Sequence, residues 1–284
     1  MLMMTRQYIR WLLISLFVLQ SWGISQTDKS KTALLTSVKS LTSTVLSDMW
    51  QVASAPVRLS TGEVLRLGTF TALNLGLIYG VDGETDEEFA IKGHQALLQP
   101  AKALARVGDV YNHIGTRRAF LGLTSAALLG GVIFKDSKLL TTGRLMIESS
   151  VITGLITYWS KGFFGRSRPY TNRGATDFNL LKFSGEHQYR ALPSGHTSSI
   201  FALMTVIAKQ YPQWWIKYPA YTLAVSVALQ RIHARQHWTS DVVVGGAIGY
   251  WVSSQLMNHS KHHSHQSHLL LYFSGQSMGM RIKL

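Results

Sequence analysis

Apolar positions recur at helical intervals along most of this chain. Leu34, Val38, Leu41, Val45 and Met49 are three and four residues apart, which predicts an amphipathic helix ended by Pro56. "STGEVLRLG" reads as a turn, and the apolar stretch Leu65 to Val81 as a helix closed by the acidic "DGETDEEF". Residues 87–107 read as an irregular, partly helical crossing. Further helices are expected over 115–133, 138–162, 195–211, 217–232 and 241–257. The connection from Phe163 to Leu192 is long and rich in Arg, Asn, Gly and Ser, and a loop of that length in a compact domain is usually functional or disordered. Only at the end does the period change. "HSKHHSHQSH", His259 to His268, is a histidine-rich segment that reads as a solvated linker. Met278, Met280, Ile282 and Leu284 then alternate with Gly279, Arg281 and Lys283, and with "LLLYF" and the turn "SGQS" they can form a small hairpin. The expected fold class is all-α, a helical bundle of about six to eight helices with room for that C-terminal β-hairpin.

The same pattern bears on membranes. The uncharged runs Leu67–Val81, Ala119–Phe134, Thr197–Ala208, Tyr218–Gln230 and Val242–Asn258 all fall short of the roughly 18 residues a spanning helix needs, and Glu148 interrupts Leu145–Trp159. A soluble or peripheral bundle is therefore the expectation, by a thin margin, because flanking arginines can snorkel. At the N-terminus Arg6 and Arg10 precede an apolar run from Trp11 to Leu19 and small residues near Ser21 and Gly23, the order of a secretory signal. Residues 1–23 are expected to be a signal peptide, 24–258 one helical domain, and 259–284 a linker with the terminal hairpin. The location that follows is exported and periplasmic, either soluble or membrane-associated. The 284 residues carry 28 Lys+Arg against 14 Asp+Glu, a formal net charge of +14, which favours an anionic partner. The absence of cysteine excludes disulfides and thiolate metal sites.

Candidate chemistry concentrates in residues 161–241. "ALPSGHTSS" places Pro193, Ser194 and Gly195 in a tight turn before an apolar helix, a ready anion site with His196 at its lip. Upstream, "KGFFGRSRP" carries Lys161, then Arg168 and Pro169 after six residues. Downstream, "RIHARQHWTSD" carries Arg231, then His237 after five residues and Asp241 after three more. Each cluster alone is weak.

In this order and spacing they resemble the type 2 phosphatidic acid phosphatase family, which shares its site with vanadium haloperoxidases and bacterial acid phosphatases. The resemblance covers roughly residues 100–257. It departs at one polar position, where Gln230 stands in place of the usual serine. The resemblance implies a metal-independent phosphatase with no cofactor. It further implies His237 as nucleophile forming a phosphohistidine, His196 as general acid and base, and Asp241 as the group that orients His237. Lys161, Arg168, Ser194, Gly195 and Arg231 are implied as phosphate ligands. That set agrees with what phosphoryl transfer requires, positioned positive charge over three equatorial oxygens. The implied substrate is a phosphomonoester or diphosphate, lipid-linked: phosphatidic acid, phosphatidylglycerol phosphate, polyprenyl diphosphate or lipid A phosphate. A soluble acid phosphatase acting on small esters is the alternative. A vanadate-dependent haloperoxidase and a non-catalytic binder of anionic lipid are weaker ones, and nucleic acid is not expected as a partner. Arg166, Arg173, Arg190, His233 and Arg235 add positive charge that could surround the mouth. Tyr158, Trp159, Phe163 and Phe164 are expected in the core, and His94, His113 and His187 have no partner readable from sequence.

Overall fold

The computed structural model of the chain describes residues 42–92, 99–266, 268–274 and 277–283. The expected signal peptide and His94 lie outside these. Contacts divide the chain into two units, Met49–Ser260, and Met1–Asp48 with Lys261–Leu284.

The larger unit is a helical bundle. A helix over residues 42–54 (α1) runs into a 3-10 turn, Ala55–Arg58, where Pro56 ends the regular hydrogen bonding. The stretch expected to be a turn instead starts α2, Thr61–Gly80. Ser60 and Glu63 form a reciprocal capping box: the Ser60 hydroxyl accepts from Glu63 N–H and the Glu63 carboxylate accepts from Ser60 N–H. The acidic stretch is α3, Asp82–Thr85, running on as a π-helical segment Asp86–Lys92. The crossing expected to be irregular is regular from Gln99 onward, in α4, Gln99–Ile114.

The next helices fall close to their expected places: α5 Thr116–Ile133, α6 Ser137–Phe164, α7 Gly195–Gln210 and α8 Trp214–His233. Asp136 caps α6 by accepting from the Lys138 and Leu139 N–H groups. Gly165 ends it in the left-handed conformation at φ +53°, so close to Asn179 that a Cβ would lie 1.8 Å from the Asn179 carbonyl oxygen. The last helix, α9, spans Thr239–Gln266, so the backbone of the histidine-rich segment is largely helix rather than linker. Leu145 and Met146 of α6, Ile200, Leu203 and Val206 of α7, Val227 of α8 and Val252 and Leu256 of α9 form the core. In the other unit, β1 His268–Ser274 and β2 Ser277–Lys283 pair antiparallel, His268 opposite Lys283 and Ser274 opposite Ser277.

Large apolar side chains also face outward. In α2 only Asn74 and Ile78 are buried, while Val64, Leu65, Leu67, Leu73, Leu75 and Tyr79 are exposed. On α5, Leu121, Leu129, Val132, Ile133 and Phe134 at its C-cap are exposed as well. Trp159 and Phe163, expected in the core, sit outward on the last turns of α6 at 61% and 51% exposure. α6 is long and apolar enough to cross a membrane, as is α2 taken with the helical segment after it across a 55° bend. Glu148 does not break the apolar face of α6: it is buried and ion-paired to Arg144 at 3.1 Å.

Candidate active site

The residues singled out in the sequence gather where the ends of α6, α7, α8 and α9 meet. Lys161 lies one turn before the end of α6, and its ammonium donates to the carbonyl of Arg190 at 2.7 Å. That bond holds the cation against the loop leading into α7. Ser194 caps α7, its Oγ accepting from Thr197 N–H and, at 2.9 Å, from the Thr197 hydroxyl. Its own hydroxyl hydrogen is left for another acceptor. Lys161 lies beside the turn, its Cε 3.7 Å from where a Cβ on Gly195 would stand. The Leu192–Pro193 peptide is cis. Ser194 N–H donates to the Asp241 carbonyl at 3.0 Å, which fixes the start of α7 to the start of α9.

His237 sits in the short connection between α8 and α9 and is buried. Its pKa is held well below the usual histidine value, first by burial and then by the charges of Lys161, Arg168, His196 and Arg231. The ring is therefore neutral at pH 7. The histidine thus lies within the electrostatic reach of all three cations and the second histidine. Asp241 Oδ2 lies 3.6 Å from His237 Nδ1, beyond hydrogen-bonding range, and Nδ1 has no hydrogen-bond partner. Asp241 is itself fixed: Oδ1 accepts from Arg166 at 2.7 Å and Oδ2 from Trp238 N–H at 2.9 Å.

Arg166, expected at the mouth, is instead fully buried behind the site. Its guanidinium bridges Asp241 and Asp82, both at 2.7 Å, and donates to Ser240 Oγ and the Ala175 carbonyl. Asp82 accepts in turn from Ser240 N–H at 2.9 Å and from its hydroxyl. Asn74 donates to the Ser240 carbonyl at 3.3 Å. Asp82 was legible only as part of an acidic stretch, and nothing in its spacing points to a partner 84 residues away. Arg235 is similarly occupied, bidentate on Asp86 at 2.9 and 2.7 Å.

Arg168 donates to Gln236 Oε1 at 2.6 Å, and Arg231 Nε to Gln230 Oε1 at 2.7 Å. Among the described residues Lys161, Arg168 and Arg231 form no ion pair. His187 lies near the same cations: partial burial, then Arg168, Lys161 and Arg190, lower its pKa. Arg173 and Tyr189 bond to each other on the loop. His233 meets Phe89 edge-on, and His113 Nδ1 lies 2.9 Å from the Asp109 carbonyl. No group of three or more metal-ligating side chains is found among the described residues.

A buried neutral histidine, cations without carboxylate partners and a capped helix N-terminus are the parts of a phosphoryl-binding site on a helical scaffold. Residues 143–262 match the model of the PAP2 superfamily. Among named relatives, it is 29% identical over 111 residues to a lipid A 1-phosphatase of Rhizobium etli, covering 39% of this chain and 47% of the relative. It is 28% identical over 137 residues to an undecaprenyl-diphosphatase of Sulfolobus acidocaldarius, covering 48% of this chain and 62% of the relative. The chain thus spans about half the length of the curated relatives it matches. Among solved structures, a transmembrane PAP2-type phosphatidylglycerolphosphate phosphatase from Bacillus subtilis covers 70% of this chain and 96% of its own, at 15% identity and a TM-score of 0.44.

Proposed function

We propose that this protein is a membrane-embedded lipid phosphatase that hydrolyses a phosphomonoester or diphosphate without a metal ion. The observation that carries the reading is the convergence of Lys161, Arg168, Arg231 and His196 on the buried, neutral His237. The named relatives act on lipid A 1-phosphate and undecaprenyl diphosphate, which supports a lipid-linked substrate. The apolar faces of α2 and α5 support contact with hydrocarbon, since a soluble helix with such a surface would be costly to expose.

In this reading Lys161, Arg168 and Arg231 hold the equatorial oxygens of the phosphoryl group, and Ser194 and the Gly195 N–H add donors at the start of α7. His237 attacks phosphorus through Nε2. The bond between phosphorus and the leaving oxygen breaks, its electron pair goes to that oxygen, and His196 supplies the proton. Burial, then the charges of Arg231, Lys161 and Arg168, lower the His196 pKa to about 4, and the negative charge of a bound phosphoryl group offsets those cations so that the ring can carry the proton. In this reading the 3.6 Å gap between Asp241 Oδ2 and Nδ1 closes as the ring acquires positive charge, and the carboxylate then stabilises and orients it. Arg166, Asp82 and Trp238 hold the carboxylate in place. Water then attacks the phosphohistidine, gives its proton to His196, and the P–N bond breaks to release phosphate.

The test is phosphate release by the purified full chain in metal-free buffer, with lipid phosphates in micelles beside a short-chain phosphate ester. Faster release from the lipid substrates, inhibited by orthovanadate, is expected. Equal rates on the small ester favour the acid phosphatase, and bromide oxidation with added vanadate favours the haloperoxidase. Absence of any phosphate release overturns the reading.

A further inference from the structure

We infer that Asp109 and Gln230 form a positioning relay that sets the guanidinium of Arg231 without neutralising it. The inference rests on Arg231 binding the phosphoryl group, as proposed above. Gln230 is buried, Asp109 is half-buried, and the two meet because α4 packs closely on α8. Gly108 makes that approach possible: a Cβ there would stand 2.3 Å from the Ser226 carbonyl oxygen and 2.8 Å from Gln230 Cβ. The next residue, Asp109, accepts from Gln230 Nε2 at 2.8 Å through Oδ1. Gln230 Oε1 in turn accepts from Arg231 Nε at 2.7 Å.

Chemistry leaves this chain of bonds only one direction. A carboxylate accepts and a guanidinium donates, so the amide between them must turn its NH₂ toward Asp109 and its oxygen toward Arg231. The carboxylate thereby chooses the amide orientation, and the amide chooses the rotation of the guanidinium about its Nε edge. The two terminal nitrogens remain for a planar two-point contact with a phosphoryl group. A carboxylate directly on Nε would impose the same geometry but would draw the cation's charge away from the substrate. The neutral amide transmits orientation and keeps the formal charges of Asp109 and Arg231 apart. Nothing in the spacing of residues 109 and 230, which are 121 apart, signals this pairing.

Asp109→Leu is the decisive variant, because it nearly keeps shape at a half-buried position and removes the acceptor for Gln230 Nε2. Asp109→Asn, which can still accept there through Oδ1, is the rescue control. The expected result for full-length Asp109→Leu is a fall of about tenfold in kcat on a lipid phosphate. Inhibition by inorganic phosphate should weaken to a similar degree, and Asp109→Asn should recover most of both. Gln230→Leu should show a similar loss, and adding Asp109→Leu to it should cost nothing more, since the relay is already cut. Additive losses in the double variant, or wild-type phosphate inhibition in Asp109→Leu, overturn the relay. A wild-type protein that releases no phosphate from any ester overturns instead the reading on which the relay rests.

Discussion

Arg166 and Arg168 stand two residues apart in one loop, yet they belong to different layers. Behind the site, Arg166 and Arg235 are saturated by Asp82, Asp241 and Asp86. In front, Arg168, Arg231 and Lys161 bond only to amide and carbonyl oxygens, with no carboxylate among the described residues. The back layer has spent its charge on holding the fold together. The front layer is oriented by neutral acceptors, and no carboxylate among the described residues pairs with its charge. Sequence motif alone does not separate the two roles; the identity of the acceptor does.

The comparison can be broken most severely at the proposed nucleophile. His237→Ala should lower phosphate release on the order of 10⁴-fold or more while leaving thermal unfolding near that of the wild type. Near-wild-type turnover would remove the front layer's purpose. Next comes Arg166→Ala, which leaves two buried carboxylates without their cation. It should cost about 3–5 kcal/mol of stability, read as a lower unfolding midpoint. Arg168→Ala should do the opposite, reducing kcat about 10²–10³-fold with little change in that midpoint. If the two variants behave alike, the division into layers fails.

Gly165→Ala tests how firmly the loop carrying both arginines is anchored. Positive φ and the Asn179 carbonyl both oppose a Cβ, so a loss of about 1–3 kcal/mol is expected in a thermal melt. The smallest effect is the pH dependence of His237. Its pKa is depressed in the folded protein, so as pH falls through about 6.5 the unfolded chain binds a proton that the folded chain refuses. Stability contributed by the neutral ring is complete above that pH and is lost progressively below it. His237→Asn should flatten this slope between pH 7.5 and 5 in unfolding midpoints.

Much of the architecture was legible because buried helices leave periodic traces. α5, α6 and α7 fall within a residue or two of their expected ends. Local rules fail at the capping signal of Ser60 and Glu63, and where Glu148 reads as interrupting the apolar run Leu145–Trp159. A buried ion pair with Arg144 turns that charge inward, which no hydropathy run can register. The eight candidate site residues could be proposed from the resemblance that three short motifs carry in order. Asp82, Gln236 and Asp109 could not, since their roles depend on which helices happen to meet. Arg166 was placed on the wrong side of its loop for the same reason.

The most direct measurement is acid-free quenching of the enzyme during turnover of a ³²P-labelled lipid phosphate, followed by peptide mapping. The expected result is label on His237, lost in His237→Ala and accumulating in His196→Ala, where the water-activating base is missing. Turnover with no protein-bound label in either the wild type or His196→Ala, or label on any other residue, would contradict a phosphohistidine at this site.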